Sequence, residues 1–116
     1  MRVNIDDTDF DDALRYFYKG NPLTGEAVET DPEGNIVELT TFRNGVEEGP
    51  QLAWYSDGSR KYESMLSNGN PVGIVRKWYR NGQLQEEREF DQNGRMVKVR
   101  QWNEDGSLAT EQQVGV

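Results

Sequence analysis

The chain has 116 residues, 34% of them hydrophobic, with no cysteine, no histidine, a mean hydropathy of -0.93 and a net charge of -8. That length suits one domain, and the missing Cys and His exclude disulfides, Cys-rich zinc sites, thiol nucleophiles and imidazole bases. Low apolar content can signal disorder, but three Trp, five Tyr and four Phe at regular spacing point to a thin sheet with a shallow core.

In chain order, Met1 to Phe10 holds one Arg and then Asp6, Asp7 and Asp9, with no apolar stretch of signal-peptide type. No later segment has the apolar length of a membrane span, so the expectation is a soluble, cytoplasmic protein. Asp6 to Asp12 suits a short helix with Asp7 or Asp9 as N-cap. The same acids lack the central Gly and distal Glu of a calcium loop, so no metal is expected. Tyr16-Phe17-Tyr18 then reads as a first strand, and Gly20-Asn21-Pro22 as a turn.

From Tyr18 onward a 24-residue period takes over. Trp54-Tyr55-Ser56-Asp57-Gly58, Trp78-Tyr79-Arg80-Asn81-Gly82 and Trp102-Asn103-Glu104-Asp105-Gly106 fall in register, after a degenerate copy, Thr30-Asp31-Pro32-Glu33-Gly34. Tyr18, Phe42, Leu66 and Phe90 keep the interval, as do Gly25, Gly49 and Gly73. Such a period marks an array whose units bury apolar surface only by stacking on their neighbours. Each period splits into two strand-like runs joined by Asn-Gly or Asp-Gly, the strongest short-range hairpin signal. Asn70-Pro71 reads as a further turn. The predicted fold is all-β: an elongated antiparallel meander of tandem hairpins in one twisted layer. About eight strands at about 4.8 Å each would span on the order of 35–40 Å. The division is an acidic N-terminal cap over residues 1–17 and a repeat domain over 18–116, with repeats near 18–41, 42–65, 66–89 and 90–113.

A two-residue Asn81-Gly82 loop would place Tyr79 opposite Leu84 and Trp78 opposite Gln85. Alternation then puts Val75, Tyr79, Leu84 and Phe90 on one face, with Ile74, Arg76, Trp78, Gln85, Glu87 and Glu89 on the other. The last unit deviates, since Phe90-Asp91-Gln92-Asn93-Gly94 has one residue more before its glycine than Phe42-Arg43-Asn44-Gly45. Val97 replaces a repeat glycine and Asn103 a repeat tyrosine, as befits a terminal unit.

Charge is lopsided. Residues 1–58 hold thirteen acids and four bases, residues 59–116 eight acids and nine bases, giving -9 and +1. An acidic surface repels nucleic acid and anionic lipid and attracts basic proteins; acidity also keeps a thin sheet soluble. Asp9, Asp11, Asp12, Glu29, Glu47 and Glu48 are the candidate contacts for a basic partner. Trp54 and Trp78 are the candidate apolar anchors, because Trp dominates interface hot spots. The alternative for the Trp ladder, Trp102 included, is to fill space between units. Tyr55 and Tyr79 belong to the same repeat signature, and Gly34, Gly58, Gly82 and Gly106 form turns. Glu86 and Glu87 alternate across a strand and cannot cooperate in catalysis, and a meander offers no desolvated pocket. No enzyme activity, cofactor or phosphate loop is expected. Open edge strands would permit pairing with a second copy.

Trp78-Tyr79-Arg80-Asn81-Gly82-Gln83-Leu84-Gln85-Glu86-Glu87, echoed at Trp54 to Glu63 and Trp102 to Glu111, closely resembles the MORN-repeat variant. Tyr18-Lys19-Gly20-Asn21-Pro22-Leu23-Thr24-Gly25-Glu26 resembles the way the YwqK-like antitoxins, immunity proteins of polymorphic-toxin systems, open their arrays. The resemblance, over about residues 18–113, implies an all-β repeat sheet and a protein that neutralises a cognate toxin, often a nuclease or nucleic-acid deaminase. It transfers no catalytic residue. Longer MORN arrays serve as scaffolds or membrane-associated modules, and aromatic-glycine repeats also occur in secreted cell-wall-binding proteins.

Overall fold

A computed structural model describes residues 1–114 of the chain. Twelve strands follow in order: β1 (Arg2–Asn4), β2 (Thr8–Phe10), β3 (Tyr16–Tyr18), β4 (Asn21–Pro22), β5 (Gly25–Thr30) and β6 (Ile36–Arg43). Then come β7 (Val46–Trp54), β8 (Arg60–Ser67), β9 (Asn70–Trp78), β10 (Leu84–Phe90), β11 (Met96–Trp102) and β12 (Leu108–Gln113). Nine of them form one sheet in the order β1-β5-β6-β7-β8-β9-β10-β11-β12, and β2-β3-β4 form a second, small sheet. From β5 onward each strand pairs antiparallel with its successor, so the meander is as predicted. The exception is β1, which pairs parallel with β5. The molecule measures 47 × 39 × 20 Å.

The N-terminal acids build no α-helix. Ile5–Asp7 makes a single 3-10 turn, and its cap is Asn4, whose side chain accepts from the Asp6 amide; Asp9 lies in β2. One turn cannot propagate against the neighbouring strands, since a short helix has too few hydrogen bonds to offset its nucleation. Asn21–Pro22 and Asn70-Pro71, expected as turns, are strand residues instead. Proline is tolerated at such strand starts because little ladder follows from its missing N–H.

Two turn chemistries alternate along the array. At one end of the hairpins, Asn44 and Gly45 (φ 49° and 83°) and Asn68 and Gly69 (φ 49° and 80°) are both left-handed, the type I′ pattern. At the other end only the glycine is left-handed. There the Gly82 amide donates to the Tyr79 carbonyl and the Tyr79 amide to the Gln83 carbonyl, a type I turn closed by a glycine bulge. Asn81 therefore stays right-handed, with its side chain accepting from the Gln83 amide. The bulge corrects the predicted register only beside the turn, where Trp78 pairs with Leu84 and not Gln85; past it, Lys77 pairs with Glu86 and Arg76 with Glu87, as the two-residue loop would give. Leu84 thus sits on the Trp face. The extra residue before Gly94 switches that turn to the bulged type as well, with the Gly94 amide on the Asp91 carbonyl.

Register defines two faces, because directly paired residues share one. On the Trp face a row crosses all nine strands: Asn4, Val28, Leu39, Leu52, Glu63, Arg76, Glu87, Arg100 and Glu111. The opposite face carries the small sheet over its N-terminal part. There Val3, Leu23, Ala27 and Phe42 form the core, flanked by Ile5, Tyr16 and Tyr18. Tyr16 and Phe42 rings lie 4.7 Å apart. The small sheet is bolted to the main one at Gly45, whose carbonyl accepts from Tyr16 N–H and whose amide donates to Leu23, each at 2.7 Å. A Cβ on Gly45 would lie 2.7 Å from the Tyr16 carbonyl oxygen, so only glycine fits.

Candidate partner interface

Beneath the small sheet, a cavity of about 170 Å³ opens on the capped face, lined by Ile5, Tyr16, Ala27, Glu29, Glu38, Thr40, Phe42, Glu47 and Gln51. Glu29 of β5 and Glu38 of β6 are cross-strand partners. Glu47 of β7, paired with Phe42, completes a group of three carboxylates with aromatic walls. Like charges directly opposite one another destabilise a sheet. None of the three makes an ion pair among the described residues, where Arg2, Arg60, Arg76, Arg88, Arg100 and Lys98 all do. Desolvation and then the Glu29 charge hold the Glu38 carboxyl above its ordinary range; desolvation and then Glu38 do the same to Glu47. Such a site favours any cation that approaches it.

The Trp face is different. Trp54, Trp78 and Trp102 project from it in a row, each half-buried and each beside the bulge of its hairpin. The Arg60 guanidinium sits 5.6 Å from the Trp78 ring. Tyr55 donates its hydroxyl to the Trp78 carbonyl at 2.6 Å, and Tyr79 to the Trp102 carbonyl at 2.7 Å. The repeat tyrosines are thus arms that reach from one hairpin to the next. A shallower hollow of about 500 Å³ lies beside Trp54, between Ile36, Leu39, Tyr55 and Arg2. Beyond it the row of charges forms a ladder: Glu63 to Arg76, Arg76 to Glu87, Glu87 to Arg100 and Arg100 to Glu111.

The residues singled out from the sequence therefore occupy several places. Glu29 and Glu47 meet in the cavity. Glu48 points to the opposite face, where it accepts the Asn68 amide at 2.7 Å and so closes a turn. Asp9 and Asp12 are exposed on the small sheet and its loop. Asp11 is exposed too, but its Oδ1 accepts from Ala13 and Arg15 and shapes the β2–β3 turn. Trp54 and Trp78 stand on the face away from the acidic cavity. Gly34, Gly58, Gly82 and Gly106 occupy the left-handed position of the bulged turns. Their partner acids Asp31, Asp57 and Asp105 have lowered carboxyl pKa values. The largest causes are the Asn35 amide for Asp31, and the Ser59 and Ser107 hydroxyls for the other two.

Residues 71–94 match the family model of the MORN repeat variant. One 24-residue period of the array is thus similar to that repeat. No curated protein and no solved structure matches the chain. The MORN match covers most of β9 and all of β10 with their bulged turn, the stretch where Trp78, Tyr79 and Gly82 all have structural duties. No helix among the described residues is long and apolar enough to cross a membrane. A MORN sheet of this kind fits a scaffold or interaction module. The residue that sequence reasoning missed is Glu38. Its signal was its cross-strand pairing with Glu29, which a two-residue loop at Glu33-Gly34 also gives.

Proposed function

We propose that the protein is an immunity protein of the cytoplasm, binding a basic toxin and blocking it through the acidic N-terminal part of the sheet. The observation that carries this reading is the trio Glu29, Glu38 and Glu47, free of ion pairs among the described residues, in an aromatic-walled cavity. A lysine or arginine of the partner entering there would neutralise like charges the fold itself leaves opposed, with Tyr16 and Phe42 as cation–π walls. Exposed Asp9 and Asp12 on the small sheet extend the same negative field, which accelerates encounter with a basic protein. Toxins that act on nucleic acid are of that kind, since they must hold phosphate. The MORN match itself also supports the coarser reading, a repeat scaffold that gathers partners without inhibiting them.

The test is capture of the partner from host lysate, identification by mass spectrometry, and assay of its activity with and without this protein. A basic effector that loses activity on binding is the expected outcome. The Glu29→Gln, Glu38→Gln, Glu47→Gln triple variant should bind it more weakly and with a shallower salt dependence, whereas Glu48→Gln should not change the salt slope. An effector that stays active in the complex, or a triple variant with an unaltered salt slope, would remove this reading in favour of the scaffold.

A further inference from the structure

We propose that the free edge of β12 is a docking site for a strand of another protein, added antiparallel as a tenth strand with a basic residue facing Glu111. This does not depend on the immunity reading.

The sheet ends in two unlike edges. β1 is three residues long. β12 has six residues, every one exposed, and no Pro, Lys, Arg or Gly. Natural edges are usually blunted by shortness, proline, charge, a bulge or a covering element; β12 has a bulge at Leu108 and one charge, Glu111, and otherwise leaves its backbone groups open to pairing. Leu108 is 52% exposed there, whereas its counterparts Ile36 and Leu84 are half-buried.

The charge ladder states what the added strand must carry. Along the Trp-face row the signs alternate, Glu63, Arg76, Glu87, Arg100, Glu111, one residue per strand. Glu87 contacts an arginine on each side, Arg76 at 2.9 Å and Arg100 at 3.8 Å. Glu111 has cations on one side alone, Arg100 and Lys98 of β11, both at 3.5 Å. The position across the open edge from Glu111 continues the alternation only with a base.

A second copy of the chain does not satisfy this. β12 contains no basic residue, so two β12 strands paired together would leave Glu111 facing neutral or acidic neighbours. The Arg2 of β1 is already engaged with Glu26 at 2.8 Å. Binding at this edge would also be reversible. Tyr55 and Tyr79 clamp each hairpin to the next, but Asn103 stands in that place and turns its amide back to the Ser107 hydroxyl at 3.0 Å.

The test uses a labelled peptide of residues 94–103, which contains β11. In the sheet this strand sets Arg100 against Glu87 of β10; one 24-residue period on, the same register would set the peptide's Arg100 against Glu111. Fluorescence anisotropy with the full chain should show saturable binding and slowed amide exchange in β12. The Arg100→Glu peptide should bind roughly tenfold more weakly, an attractive cross-strand pair having become a repulsive one. The Glu111→Lys chain should reverse that preference, and the Glu111→Gln chain should largely abolish it. Absence of binding, or equal binding of both peptides, would overturn the proposal. So would sedimentation of the chain alone as a dimer whose β12 amides are already protected, because a second copy would then be the occupant.

Discussion

The N-terminal and C-terminal parts of one continuous sheet are held together by different means. Around β1, β5, β6 and β7 the small sheet supplies a second layer over Val3, Leu23, Ala27 and Phe42, while Val28 and Leu39 are buried on the Trp face. Glu29, Glu38 and Glu47 there make no ion pair among the described residues. From β8 to β12 there is one layer, whose buried apolar side chains are Leu66 and Val75, and much of its order comes from the charge ladder, the tyrosine arms and Glu86. That carboxylate is buried, yet accepts from Arg88 at 2.6 Å and from Gln101 at 2.8 Å. Where a second layer exists, apolar burial can carry the fold and carboxylates can stay free of ion pairs. Where none exists, the charges are consumed internally. The contrast explains how a net charge of -8 concentrates its reactivity at one end.

The strongest way to break the comparison is to remove the apolar layer. Phe42 is 3% exposed, and Phe42→Ala should cost about 3–5 kcal/mol. Amide exchange should accelerate in β2 to β7 while β9 to β11 keep most of their protection, as expected of arrays coupled only to nearest neighbours. Equal loss across the sheet would show one cooperative unit instead of two regions.

A smaller effect sharpens the other side. Tyr79→Phe deletes the hydroxyl that reaches Trp102, at about 1 kcal/mol for a single hydrogen bond. Faster exchange in β11 and β12, with the small sheet unaffected, is the outcome to look for in deuterium-exchange mass spectrometry. An effect spread evenly over the sheet would mean the arm is dispensable to the coupling of adjacent hairpins.

The subtlest test is pH, because the two regions have opposite signs. Glu38 and Glu47 have raised carboxyl pKa values in the fold, so the folded state binds protons more readily than the unfolded chain. Stability near them therefore rises as pH falls from neutrality through those raised values. For Glu86 burial pushes upward, but hydrogen bonds from Gln101 and Arg88 and the charges of Arg88 and Lys77 leave its carboxyl lowered. Its contribution is present above the ordinary carboxylate range and is lost as pH falls through the lowered value. Protection factors, corrected for intrinsic exchange, should thus rise around β6 and β7 on mild acidification. Those around β10 and β11 should hold and then fall in stronger acid. A common direction in both regions would refute the distinction.

Much of this molecule is written locally. The 24-residue period, the Asn-Gly and Asp-Gly turns and the aromatic runs specify hairpins from contacts between near neighbours in sequence, which is why the meander is legible in the residues alone. The lopsided charge is equally plain. The pairing beside each turn was not, because a glycine bulge moves the first pair and so the face on which its side chain lies. Trp78 consequently meets Leu84, and whether Asn-Gly closes a two-residue or a bulged turn depends on how its flanking strands twist and pair. The small sheet, which roofs the cavity holding Glu29, Glu38 and Glu47, and the parallel pairing of β1 rest on contacts between distant segments. No periodicity announces them. The sequence by itself determined a β array with acid at one end; the tertiary structure decided which acids lie under a roof, because only packing brings the small sheet over them.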